Sequence, residues 1–314
     1  MTSEIVIYLL LGFLVIIYLN SNITLSGLNI NAQSDSNITI IEHLTKHTKK
    51  DKNYKGHPKN FTSHGYNISG KLNGENASLT YRFPLINNDE SKFQINLSAI
   101  NVSSIVNNFG TSTNCFGRRD DNTFELKTTS IDYLKKEMNK DGFYFNSFVD
   151  YGINYNHVID ISKELTTQIA YFIVQELQNK GRDNYVNRVI ATLNFVQFIP
   201  YGVPDFDHNK HTYFGLAIPH ESLAISYSDC DSKSVLFSGI LHHLIPSKNI
   251  IMVGCTADGG GHMIVGVSDL PFYGQTVKHT GKNYLLLETT TPIPIEHQPE
   301  TKYQDISIIP VLQV

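Results

Sequence analysis

The chain contains Ser228-Asp229-Cys230-Asp231-Ser232-Lys233, followed by a segment at 234–244 whose apolar residues recur at helical spacing. Ser228 or Asp229 is a good N-cap, so we expect Cys230 in the first turn of a helix. The free backbone N–H groups and the positive end of the helix dipole favour a thiolate there, which is the reactive form of cysteine. The alternative is an inert cysteine that is buried for packing.

Two later segments supply residues that assist a cysteine nucleophile. Residues 259–267 combine a glycine turn with His262 at the start of an apolar strand, and residues 281–290 combine a turn with a strand that ends at Glu288. A thiol, an imidazole and a carboxylate on successive elements can assemble a nucleophile, a base and a group that orients the base. The sequence therefore predicts Cys230, His262 and Glu288 as catalytic residues.

With these three segments, the sequence resembles the transglutaminase-like superfamily of papain-type cysteine enzymes, over about residues 165–295. Bacterial and archaeal members carry a Gly-Asp-Cys-(Asp/Glu)-Asp-Lys helix start, a Gly-His strand and a Tyr-x-x-x-Glu strand. This chain has Ser228 in place of the glycine and Ser232 in place of an acid. Neither change removes a reacting group, although Ser228 lies in the turn before the nucleophile.

The resemblance implies acyl transfer through a thioester on Cys230. His262 would accept the thiol proton and later donate it to a leaving amine, while Glu288 would fix the histidine tautomer. The N–H of Cys230 and the side chain of Gln197 would stabilise the oxyanion, with Tyr201 as the competitor of Gln197. We expect water as the acceptor, which makes the protein a peptidase or amidase acting on a protein or peptide.

Two other functions use the same residues. A lysine amine as the acceptor would make the protein a crosslinking transglutaminase. A superfamily member that has lost its chemistry would be a non-catalytic binding module, although the intact cysteine, histidine and glutamate argue against this. Labelling with a thiol-directed electrophile across pH distinguishes an enzyme from a scaffold.

Composition excludes other classes of partner. The 314 residues include 25 Lys and Arg against 29 Asp and Glu, a net charge of −4. No basic stripe is present, so nucleic acid is not an expected partner. His208, His211 and His220 lie in a polar, proline-bounded loop, where we expect a solvated face rather than a metal site. We expect no cofactor.

The N-terminus is predicted to reach a membrane. Residues 5–19 are free of charge and mostly aliphatic, a length that suits a signal h-region. No Lys or Arg precedes the run and no Ala-x-Ala site follows it. We therefore predict an uncleaved signal anchor at 1–21 and an extracytoplasmic catalytic domain, with a cleaved signal and secretion as the alternative.

Residues 22–62 are rich in Asn, Ser, Thr and Lys and are predicted to form a polar linker. Asn-x-Ser/Thr sequons are confined to the N-terminal third of the chain, which is typical of an exposed outer segment in a host that glycosylates. They lie at Asn22, Asn37, Asn60, Asn67, Asn76, Asn96 and Asn101.

The remaining chain is predicted to be α+β. Residues 63–145 form a β-rich accessory region, with period-two alternation at 78–83, 93–97 and 123–127. Residues 146–314 form a papain/transglutaminase-like catalytic domain. It has helices from Asp160 to Gly181 and from Asp183 to near Pro200, and its Cys230 helix packs on an antiparallel sheet. We expect its strands near 249–256, 262–268, 283–288 and 305–313.

The chain has three cysteines, an odd number. In an oxidising space, Cys115 and Cys255 could pair and leave Cys230 free. Two buried free thiols are the alternative.

Overall fold

A computed structural model describes residues 68–311 except 74–75, 87–88, 99–104, 106–108, 113, 119–123, 128, 139–141, 149, 205–206, 209–210, 213, 226 and 301. The fold is α+β with an antiparallel main sheet, as the sequence predicts. The predicted membrane segment and the linker lie outside the described residues. None of the helices in these described ranges combines the length and the hydropathy of a membrane span.

The N-terminal sheet has three antiparallel strands: β1 (Ile68–Asn73), β2 (Asn76–Pro84) and β3 (Glu90–Ser98). Side chains along most of β3 alternate between exposed and buried, as the period-two pattern predicts. Aromatic rings on the buried face meet rings from two helices. The ring centroids of Phe93 and Phe172 lie 5.1 Å apart, and so do those of Phe83 and Phe195. The sheet therefore shares one core with the helices.

In the described residues, short strands and a helix link this sheet to the main helices. They are β4 (Thr111–Ser112), β5 (Phe116–Arg118), β6 (Phe124–Leu126), α1 (Ile131–Met138), β7 (Phe143–Ser147) and β8 (Asp150–Ile153). The alternation at 123–127 predicts the strand β6, whereas no helix is predicted at α1. Leu134 and Met138 are both buried because residues four apart lie on the same face of a helix.

Three helices follow: α2 (Tyr155–Ile161), α3 (Lys163–Asn179) and α4 (Tyr185–Gln197). The predicted opening at 160–162 is confirmed at Ser162, the N-cap residue of α3, whereas Asp160 and Ile161 end α2. The predicted buried stripe of α3 is confirmed at Leu165, Ile169 and Leu177. The chain then turns at Gly181, whose φ of 64° lies in the left-handed region that favours glycine after a helix.

The next helices lead into the predicted nucleophile. After β9 (Asp207–His208) and β10 (His211–Thr212) come α5 (Pro219–Ile225), which the sequence analysis does not predict, and α6 (Cys230–His242). The start of α6 at Cys230 is confirmed. Every residue of α6 from Ser232 to Leu241 is buried, and the helix packs against α3 and α4 as predicted. It is therefore the central helix of the protein.

The main sheet packs on α6. Its strands are β11 (Ile250–Ala257), β12 (Gly260–Ser268), β13 (Thr276–His279), β14 (Lys282–Leu287) and β15 (Gln304–Pro310). Their spatial order is β13-β14-β12-β11-β15, and every neighbouring pair is antiparallel. The four predicted strands are confirmed within a few residues, and β13 is additional.

The two faces of this sheet have different partners. Met263 and Val265 belong to the core shared with α6, whereas Cys255, Ile264 and Tyr303 form a second apolar cluster. Consecutive side chains in a strand point to opposite faces, so β12 supplies both layers.

Candidate active site

Cys230 is the first residue of α6, and the chain around it is tightly held. Asp229 caps the helix, and its Oδ1 accepts hydrogen bonds from the Ser232 backbone N–H at 3.3 Å and the Ser232 hydroxyl at 2.5 Å. Ser228 forms a parallel bridge with Tyr201 and is buried. The turn before the nucleophile thus accommodates serine in place of glycine.

The start of α6 lies against the edge of β12. The pairing of β14 with β12 ends before Met263, which leaves the strand edge open at that residue. Ser234 donates a hydrogen bond to the Met263 carbonyl over 3.1 Å, and the Met263 N–H faces the Cys230 sulfur. Cys230 therefore lies beside the residue that follows His262.

The ionisation of Cys230 differs from the prediction. Burial raises the pKa of the Cys230 thiol well above its ordinary value, and the carboxyl groups of Asp231 and Asp229 raise it further. Burial also raises the pKa of both carboxyl groups, because a low-dielectric site disfavours the charged form. The predicted thiolate is wrong, because the helix dipole supplies only roughly half a positive charge and does not offset burial and the two carboxyl groups.

His262 and Glu288 are brought together as a buried pair. The His262 Nε2 atom lies 3.0 Å from Glu288 Oε2 and 3.2 Å from Oε1. The side chains are 8% and 1% exposed. Because a carboxylate only accepts hydrogen bonds, the neutral imidazole carries its proton on Nε2, and Nδ1 is the atom that can accept one.

Glu288 has further donors around its carboxylate. Its Oε1 accepts the Thr290 N–H at 3.0 Å and the Thr290 hydroxyl at 2.6 Å. Its Oε2 accepts the Tyr303 hydroxyl at 3.2 Å and the Lys302 ammonium at 3.4 Å. Burial acts to raise the pKa of Glu288, but the hydrogen bonds from His262 and Thr290 outweigh it and hold the pKa below its ordinary value. Glu288 is therefore ionised at neutral pH.

Cys230 and His262 are close in the fold but not directly bonded. Among the described residues, no hydrogen bond joins the Cys230 sulfur to the His262 ring. Cys255 is the cross-strand partner of His262, so their side chains share the face that carries Tyr303, whereas α6 packs on the other face. Proton transfer between Cys230 and His262 requires the two side chains to approach across the edge of β12.

Gln197 has a different place from the one predicted. It is buried, and its Nε2 donates to the carbonyls of Glu288 at 2.7 Å and Ile293 at 3.1 Å. Both amide N–H groups are used, so Gln197 holds the segment after β14 and has no donor left for an oxyanion. Tyr201 lies in the bridge to Ser228.

Lys233 has a role that the sequence analysis missed. It is fully buried, and its Nζ donates to the carbonyls of Gln197 at 3.3 Å, Thr290 at 3.2 Å and Ile199. Burial lowers the pKa of Lys233 to about 7, against the opposing charges of Glu288 and Asp229. Lys233 joins α6 to the end of α4 and to the segment that binds the Glu288 carboxylate. The signal for this role is a lysine at an interior position of a helix that is buried on all of its faces.

Other candidate groups do not converge. Within the described part of the chain, no group of three His, Cys, Asp or Glu side chains could hold a metal ion. Burial lowers the pKa of His220 to about 4, so this histidine is neutral. The cysteines Cys115, Cys230 and Cys255 are all free thiols, with no disulfide between Cys115 and Cys255.

The geometry of the fold and of the candidate site can be described without reference to other proteins. The chain is an α+β protein with a cysteine at a helix start and a buried pair formed by His262 of β12 and Glu288, which directly follows β14. The chain matches no protein family, and no curated protein is significantly similar to it in sequence.

Proposed function

We propose that this protein is a cysteine-dependent acyl-transfer enzyme of the transglutaminase-like, papain-type class, acting as a peptidase or amidase on a protein or peptide. The observation that carries the proposal is the buried His262–Glu288 pair, with its 3.0 Å contact, beside the strand edge that faces Cys230. Buried ionisable groups cost free energy unless fully paired, and they concentrate at functional sites.

In this mechanism, His262 takes the proton of Cys230 on Nδ1 as the sulfur attacks the substrate carbonyl carbon. The tetrahedral intermediate collapses to a thioester, and His262 gives the proton to the leaving amine. Water then attacks the thioester with His262 again accepting a proton, and the sulfur leaves and recovers its proton. Glu288 holds the Nε2–H tautomer and stabilises the imidazolium throughout.

The raised pKa of Cys230 determines the order of these events. The resting group is a thiol, so deprotonation accompanies the attack instead of preceding it. The sulfur and the imidazole come within hydrogen-bonding distance when substrate binds, since catalytic hydrogen bonds are often long in a free enzyme. The Cys230 backbone N–H, free at the helix start, stabilises the oxyanion by about 3 kcal/mol.

A second candidate is a non-catalytic binding module of the same class. The raised pKa of Cys230 favours it, as does the lack of a direct hydrogen bond to His262 among the described residues. The two candidates differ in one measurable property, the dependence of Cys230 reactivity on His262.

We expect His262 to accelerate the reaction of Cys230 with p-nitrophenyl acetate by on the order of 10⁴-fold, the upper end of the usual contribution of a general base. Acetylation is followed by intact-mass spectrometry with peptide mapping, in the wild type and in His262→Ala. Adducts on Cys115 and Cys255 are the internal controls. Equal acetylation of Cys230 in both proteins would establish the binding module.

The pH dependence of alkylation tests the ionisation of Cys230 in the same samples. Because burial raises the pKa of the Cys230 thiol, its alkylation by iodoacetamide rises with pH and has its midpoint above the ordinary pKa of cysteine. A midpoint in mild acid contradicts the raised pKa and indicates a preformed thiolate–imidazolium pair.

We also propose that residues 1–21 hold the protein at a membrane, with the catalytic domain outside the cytoplasm. The apolar run at 5–19 and the confinement of the sequons to the first 101 residues support this. Protease added to intact cells or spheroplasts is expected to digest the domain. Protection until lysis overturns the orientation, and release of the full-length chain without detergent overturns the anchor.

A further inference from the structure

Tyr303 contacts both members of the buried pair. Its hydroxyl donates to Glu288 Oε2 over 3.2 Å. Its ring stacks on the His262 imidazole, with centroids 6.1 Å apart and an interplanar angle of 17°. The tyrosine is 4% exposed. One side chain thus limits the orientation of the carboxylate and the plane of the imidazole at once.

The backbone of Tyr303 is fixed by Gln275. The Gln275 Oε1 atom accepts the N–H groups of Lys302 and Tyr303, each at 2.8 Å, and its Nε2 donates to the Tyr303 carbonyl at 2.7 Å. Gln275 is itself held, since its N–H donates to the Pro299 carbonyl at 2.8 Å and its carbonyl accepts the Leu286 N–H at 2.9 Å. Hydrogen bonds with Gln275 therefore hold the backbone that carries the Tyr303 ring. A side chain held in this way can keep His262 and Glu288 in one geometry.

The Tyr303 hydroxyl is a donor across the neutral range. Burial raises the pKa of Tyr303 above its ordinary value, and the negative charge of Glu288 raises it further. The phenol keeps its proton, and a carboxylate that accepts several hydrogen bonds has little freedom to rotate away from the imidazole.

We propose that Tyr303 is a positioning residue that sets the orientation of His262 for proton transfer. It acts through Glu288 by its hydroxyl and on His262 by its ring, and it does not react itself. This inference rests on the proposed function, in which the Nδ1 atom of His262 accepts the proton of Cys230. The sequence around Tyr303 has no motif that marks it.

The test compares Tyr303→Phe with Tyr284→Phe. Tyr284 is a matched control: it is 1% exposed, belongs to the same apolar cluster, and donates its hydroxyl to the Lys248 carbonyl at 2.7 Å, away from Glu288. We expect Tyr303→Phe to slow acylation of Cys230 by p-nitrophenyl acetate about 10-fold with little change in KM, since one charge-assisted hydrogen bond is lost. Tyr284→Phe should leave this rate unchanged.

A second readout does not depend on turnover. In protein with ¹⁵N-labelled histidine, Tyr303→Phe is expected to shift the Nε2–H signal of His262 and to speed its exchange with water, and Tyr284→Phe to do neither. Melting temperatures show whether each variant is folded. Equal NMR effects in the two folded variants, or none in either, overturn the positioning role. An NMR change specific to Tyr303→Phe in a protein without turnover supports the positioning contact and refutes only the proposed function.

Discussion

Alanine in place of Cys230 or His262 is expected to reduce turnover of p-nitrophenyl acetate to the background rate, a loss on the order of 10⁴-fold or more. Cys230→Ala removes the sulfur that forms the thioester, and His262→Ala removes the group that accepts its proton. The double variant should be no worse than either single variant, because residues that act as one unit are strongly non-additive. Initial rates with each purified variant provide the measurement.

Glu288→Gln and Cys255→Ala complete this set. The amide keeps a hydrogen-bonding shape but favours the wrong histidine tautomer, so we expect a loss of about 10²–10⁴-fold. Cys255→Ala removes a buried thiol opposite His262 and should retain activity. Full activity of Cys230→Ala refutes the proposed function. If Glu288→Gln has wild-type activity while Cys230→Ala and His262→Ala are inactive, only the proposed catalytic role of Glu288 is refuted.

Lys233→Met is expected to be the most destabilising of the substitutions considered. The three carbonyls of Gln197, Ile199 and Thr290 lose their donor inside the protein, where each unsatisfied buried polar group costs about 1–3 kcal/mol. Removal of a buried ammonium offsets part of this. We expect a net loss of about 3 kcal/mol in the free energy of unfolding at neutral pH, measured by urea denaturation.

The contribution of Lys233 to the free energy of unfolding also depends on pH. The pKa of Lys233 is about 7 in the folded protein and 10.5 ordinarily, so the unfolded chain binds more protons between these values. The free energy of unfolding of the wild type therefore rises with pH through this window relative to Lys233→Met, by up to about 4–5 kcal/mol.

Lys282→Met is the control for this experiment. The Lys282 ammonium is partly exposed and bonds to Asn249 and Asp269. We expect a loss of at most about 1 kcal/mol, as for other exposed pairs. A constant difference in stability between the wild type and Lys233→Met from about pH 7 to about pH 10 contradicts the lowered pKa of Lys233.

Local signals were sufficient for much of the fold. The helical spacing after Cys230 and its capping residue predict α6, and the apolar runs predict β11, β12, β14 and β15. Helix caps, turns and hydrophobic periodicity act over a few residues, so they can be read from neighbours in the chain. The same signals missed α5 and β13, which are short and whose packing partners are distant in sequence.

Local sequence signals thus predict α6, β12 and β14, which position Cys230, His262 and Glu288. The environment of each side chain depends on contacts that form only in the folded protein. Burial beside Asp229 and Asp231 raises the pKa of Cys230, although the helix start alone predicts the reverse. The side-chain amide of Gln197 donates to the Glu288 carbonyl, which is distant in sequence. The hydroxyl of Tyr303 reaches the Glu288 carboxylate from the segment just before β15. Solvation and charge–charge free energies depend on all atoms near a group, and folding brings those atoms together from remote parts of the chain.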